Sequence, residues 1–170
     1  MLILGGGLVH VLSQDSVAMP SDRSLVYIMA YGKLSPLTYE TARTPLNATT
    51  VASSNRNSYV ELTGSHSSRT ITTIDPRIFI FVPDQPNAHP PFLVRLSVKK
   101  NARRVTALTE KGRPGYAIAS EEIVKPHYRV LGKEGGLTFM EVRPREPLIP
   151  GEYAIMGSDL SRVASFTVAN

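Results

Sequence analysis

From Tyr59 onward the apolar residues recur in short runs with a period of two, each run closed by Gly, Pro, Asn or Ser. Side chains alternate across a strand, so this period predicts strands and excludes long helices. Strands are predicted over Tyr59–Leu62, Arg69–Ile74, Arg77–Val82, Phe92–Lys100, Arg103–Leu108 and Tyr128–Leu131. Three more lie between Gly136 and Val168, around a corner built from Pro147, Pro150 and Gly151. The clearest alternation is Phe92, Val94, Leu96 and Val98 on one face against Arg95, Ser97 and Lys99 on the other. A gap at Asn101-Ala102, flanked by Lys100 and Arg103, predicts a hairpin in which Arg103–Leu108 returns antiparallel.

Earlier in the chain, Leu25–Tyr31 is apolar on both faces and reads as a central strand, turning at Tyr31–Leu34 into a second segment that ends near Tyr39. Residues 41–58 are polar and small and read as a long loop. Ser120-Glu121-Glu122 can cap a single turn before Pro126 stops it, and Ser35-Pro36 is a second candidate helix start. These elements predict an all-β fold, a two-layer antiparallel β-sandwich of Ig-like type. It has about ten short strands and at most one helical turn. The length of 170 residues fits one domain, 1–170.

Composition changes this picture in two places. Cysteine is absent, so stability rests on packing and backbone pairing, and thiolate metal sites are excluded. The formal charge of +5 is concentrated: Arg95, Lys99, Lys100, Arg103, Arg104, Lys111 and Arg113 face only Glu110 in their segment, and the remainder is close to neutral. Lys99, Lys100, Arg103 and Arg104 are therefore the candidate anion-binding residues of the hairpin 95–113, with an anionic polymer as the partner. The bland reading is a solvated edge guarded by lysine. No aromatic residue lies between Leu93 and Pro114, which disfavours nucleic acid.

Met1–Leu12 is the most apolar run, too short to span a bilayer, which needs about 20 residues. It reads as an exchangeable strand carried by Leu2, Ile3, Leu4, Leu8, Val9, Val11 and Leu12, with Gly5–Gly7 as an elbow. Its rivals are a strand docked on its own chain and the remnant of a secretory signal. A donated strand would make the chain a homo-oligomer, in head-to-tail order a ring or filament.

Candidate chemistry is sparse. His10, His66, His89 and His127 are scattered without metal-ligand spacing, and Gly5-Gly6-Gly7 lacks the Lys-Ser/Thr of a phosphate loop, so no cofactor is expected. Gly64-Ser65-His66-Ser67-Ser68 sets hydroxyls beside an imidazole without a nucleophile elbow and reads as a turn. Any pairing of carboxylates such as Glu141 with Glu152 has no support from spacing.

Pro147–Ile155, with its Pro-Gly-Glu-Tyr-Ala string, and Leu25–Leu37 resemble segments of uncharacterised bacterial β-sandwich proteins. The resemblance implies an Ig-like fold and a secreted, periplasmic or cell-surface setting, and it implies no activity. The expected function is a non-enzymatic structural or assembly subunit joined by its apolar N-terminal strand. The alternatives are a monomeric adhesion or anion-binding module using the basic hairpin, and an unrecognised enzyme with residues converging from distant loops.

Overall fold

The computed structural model describes residues 17–44, 58–108, 116–157 and 159–170. The assembly strand 1–12, most of the polar loop 41–58, and Lys111 and Arg113 lie outside them. Thirteen strands and one 3-10 turn, Ser120–Glu122, make up the described fold, an all-β sandwich of two antiparallel sheets. The expectation of about ten strands falls short by the short ones, which carry too few residues to show a period.

The first sheet runs in the order β10-β11-β6-β1-β2, formed by β1 (Val26–Ala30), β2 (Lys33–Leu37), β6 (Arg77–Pro83), β10 (Pro126–Glu134) and β11 (Leu137–Pro144). Its β1–β2 hairpin turns through Tyr31 and Gly32, both at positive φ, 53° and 73°. Two left-handed residues in succession match the twist of the strands they join, which is why glycine serves at the second. Ser35-Pro36, expected as a helix start, sits inside β2: proline is tolerated there because β2 is an edge strand.

The second sheet has eight strands along the path β3-β13-β12-β7-β8-β4, with β5 and β9 attached to β13 and β8. They are β3 (Tyr39–Thr41), β4 (Ser58–Thr63), β5 (Thr70–Ile71), β7 (Phe92–Lys99), β8 (Ala102–Leu108), β9 (Ala117–Ile118), β12 (Gly151–Met156) and β13 (Arg162–Val168). The β5–β13 pair is parallel. Just past β3, Arg43 exchanges both backbone hydrogen bonds with Glu61 of β4, each 2.9 Å. The two ends of the sheet thus meet, and the sheet curls around an interior of its own.

This curl divides the core. Val60, Leu62, Val94, Leu96, Val105, Ala154, Met156 and Val163 pack inside the curled sheet. Ile28, Ile78, Ile80, Leu93, Tyr153, Ile155 and Phe166 pack between the two sheets. Strands β12 and β13 are buried on both faces for that reason, as is the first half of β7, where Leu93 is as fully covered as Val94. Val98, expected on the buried face, is 48% exposed because it stands at the mouth of the curl. A third cluster, Tyr27, Phe79 and Phe139, lies on the outer face of the first sheet, packed against Val17, Leu25 and Leu131. At the Pro-Gly corner the Tyr153 hydroxyl donates to the Ile149 carbonyl at 2.7 Å, fastening the start of β12 to the preceding turn.

Candidate functional site

The basic hairpin does not present one basic face. Its two turn residues are Lys100 and Asn101, with Lys99 opposite Ala102, so the turn lies one residue earlier than the predicted gap at Asn101-Ala102. Lys100 takes the positive φ, 57°, rather than the asparagine. Neighbours in a strand point to opposite faces, so Arg103 and Arg104 part company. Arg103, opposite Val98 and Leu62, points into the curled sheet and is 1% exposed, which removes it from any anion-binding surface. Arg104 faces outward and stacks on the Tyr59 ring, 4.0 Å from its centre. Lys99 and Lys100 alone remain exposed at the tip.

Inside the curl, Arg103 spends all five of its N–H donors. It donates to Glu40 Oε1 and Oε2 at 3.2 and 2.6 Å, to Ser165 Oγ at 2.7 Å, and to the carbonyls of Thr63 and Gly64 at 2.8 and 2.9 Å. The Ser165 hydroxyl donates in turn to Glu40, and the Ser67 hydroxyl donates to the Ser165 carbonyl. Beside this network Glu152, 3% exposed, accepts from the Ser67 N–H at 3.0 Å, the Thr167 hydroxyl at 2.8 Å and His66 Nδ1 at 3.1 Å. His66 itself is exposed at the rim of a groove of about 720 Å³ that Arg95, Glu121 and Glu122 also line. A buried carboxylate that fixes an exposed imidazole sets the ring's orientation, but no hydroxyl is hydrogen-bonded to His66 among the described residues. No cluster of three or more His, Asp or Glu suited to a metal ion occurs among them either.

The other polar concentration is on the outer face of the first sheet. Glu141, 3% exposed, accepts from Arg77 Nε at 2.5 Å and from Arg129 Nε at 2.7 Å, and Arg143 pairs with Asp75. Sequence spacing gives no sign of it, because the partners are brought together by the β6-β11-β10 register.

Among the described residues one long sheet edge is open. The curl joins the ends of the second sheet, and β2 is a short edge carrying Lys33 and Pro36, both of which discourage pairing. By contrast, β10 is nine residues long and pairs only with β11 among the described residues. Its ionic side chains are occupied within the chain: Arg129 with Glu141, Lys133 with Asp84 at 2.7 Å, and Glu134 with Arg23 at 2.5 Å. The Lys133 ammonium accordingly holds the Asp84 carboxyl below the usual range. Tyr128 and Val130 are left as exposed apolar side chains along this edge. The hydroxyl end of Tyr128 is partly buried: it donates to the Pro91 carbonyl at 2.7 Å, and that burial raises its pKa.

No protein-family model, no curated protein and no solved structure matches the chain. No helix of the described residues is long and apolar enough to cross a membrane.

Proposed function

We propose that this protein is a non-enzymatic structural module that assembles by strand addition, with β10 as the acceptor edge and Met1–Leu12 of a second copy as the donor. The observation that carries the reading is the nine-residue edge whose Arg129, Lys133 and Glu134 are paired within the chain while Tyr128 and Val130 stand exposed. An added strand gains affinity from backbone bonds and specificity from alternate side chains, and the Leu, Ile and Val of the donor suit an apolar rim. Lengths match as well: nine residues of strand extend about 30 Å, which a dozen residues can cover.

The attachment point supports the same reading. Met19 Cε lies 3.2 Å from where a Cβ on Gly132 would stand, and Arg23 pairs with Glu134, so the chain enters the described body alongside β10. The described chain therefore begins beside the proposed acceptor edge, and exchange between neighbours would build a ring or filament. A bacterial, secreted, periplasmic or cell-surface location belongs to the same proposal.

Val130→Asp tests the reading. Val130 is exposed, so the variant folds, and the buried carboxylate that strand addition would create blocks association. Sedimentation velocity on the intact chain should show oligomers that the variant lacks; an intact chain that stays monomeric at high concentration contradicts the proposal.

A further inference from the structure

The outer face of the first sheet carries an arrangement that strand addition does not require. In register across β11 and β10, Arg143 stands directly opposite His127, and Met29 of β1 pairs with Arg77 of β6. Two residues beyond Arg143, the Arg145 backbone N–H donates to the Lys125 carbonyl, so Arg145 continues the face of Arg143. Arg77, Arg129, Arg143 and Arg145 line one groove of about 910 Å³ together with His127. This volume suits a small ligand or one unit of a larger one.

Cations side by side on adjacent strands repel one another, so such a grouping needs anions. The protein supplies some. Glu141 lies beneath the groove and is taken up by Arg77 and Arg129, and Asp75 by Arg143. Glu146 also lines the groove. Arg145 donates only from Nε, to the Pro126 carbonyl at 3.2 Å, which leaves both its terminal nitrogens without an acceptor among the described residues. Arg143 engages Asp75 through one terminal nitrogen, leaving the other in the same position.

We infer that the Arg143–Arg145–His127 end of this groove binds a phosphate or sulfate group. A planar guanidinium fork meets such an anion through two parallel bonds, and a group with three or four oxygens can take two forks and an imidazole together, whereas a carboxylate fills one fork. The four arginines exceed the three carboxylates by a single charge, so the site relies on directed donors more than on a long-range field. Its binding should fall with salt over the groove's short range.

Titration of the full chain with inorganic phosphate and inorganic sulfate at fixed ionic strength, followed by the Nε–H resonances of arginine and the ring signals of His127, tests the site. Acetate serves as the carboxylate control. Saturable shifts at Arg143, Arg145 and His127 with one of the two oxyanions are expected, and the preferred ion identifies the ester. Arg145→Gln, at an exposed position, should weaken binding about tenfold or more while leaving thermal unfolding unchanged, and Lys100→Ala should leave binding unaltered. Equal, unsaturated shifts with acetate, or an Arg145→Gln variant that binds as the parent does, overturn the inference. Because His127 and Arg129 belong to β10, the titration is repeated on Val130→Asp, in which strand addition is blocked, and the same saturable shifts there separate the anion site from the strand-addition reading.

Discussion

Arg103 and Glu40 belong to β8 and β3, near opposite ends of the eight-stranded sheet and 63 residues apart in the chain, yet they form a two-pronged ion pair inside it. The pair is the polar counterpart of the Arg43–Glu61 backbone closure, and it holds the curl from within. Removing one partner of a buried pair strands the other, at a cost of about 3–5 kcal/mol. Arg103→Met should therefore lower stability in urea by roughly that amount. Arg103→Met combined with Glu40→Leu should cost clearly less than the two single changes together, by roughly 0.5–3 kcal/mol of coupling. Additive losses would mean that the pair does not close the sheet.

Leu96 and Ser97 are neighbours with opposite surroundings. Leu96 packs inside the curl, whereas Ser97 is exposed and donates from Oγ to the Arg104 carbonyl at 3.1 Å. Leu96→Ala should cost about 2–5 kcal/mol, as truncations in a close-packed core do. Ser97→Ala should change stability by less than about 1 kcal/mol. Equal effects in denaturant unfolding would contradict the register of β7.

Lys100 holds a φ of 57° at the tip of the β7–β8 hairpin. Glycine adopts that conformation without a Cβ penalty, which for other residues is about 1–2 kcal/mol. Lys100→Gly should raise the thermal midpoint despite the greater freedom of the unfolded chain, and Lys100→Val should lower it. A midpoint lowered by glycine would mean that the turn is not at Lys100-Asn101.

Period two was legible where one face alone is buried, as in β8 and along β7 from Val94 to Ser97, because alternate burial then imprints itself on the sequence, whereas β6 and β11 are covered on both faces and show no such alternation. The two-residue strands β5 and β9 leave no such imprint. Leu93 carried a signal of a different kind: an apolar residue on the polar-looking face of β7 is what a strand covered on both sides shows. The separation of Arg103 from Arg104 was also readable, since alternation alone forbids adjacent strand residues from sharing a face. Their partners were not readable. Glu40 reaches Arg103, and Glu152 reaches His66, through a sheet that curls until distant strands meet, and no local spacing encodes that closure.

The acceptor edge is the central claim, and direct capture of the donor tests it. A chain lacking residues 1–12, sedimented with and without a synthetic peptide of those residues, should be a folded monomer that binds the peptide. Binding should slow hydrogen exchange at Tyr128–Val130 in β10, and the intact chain should form oligomers under the same conditions. If the shortened chain unfolds, or stays folded but leaves the peptide free and the β10 amides unprotected, β10 is not an acceptor for that strand.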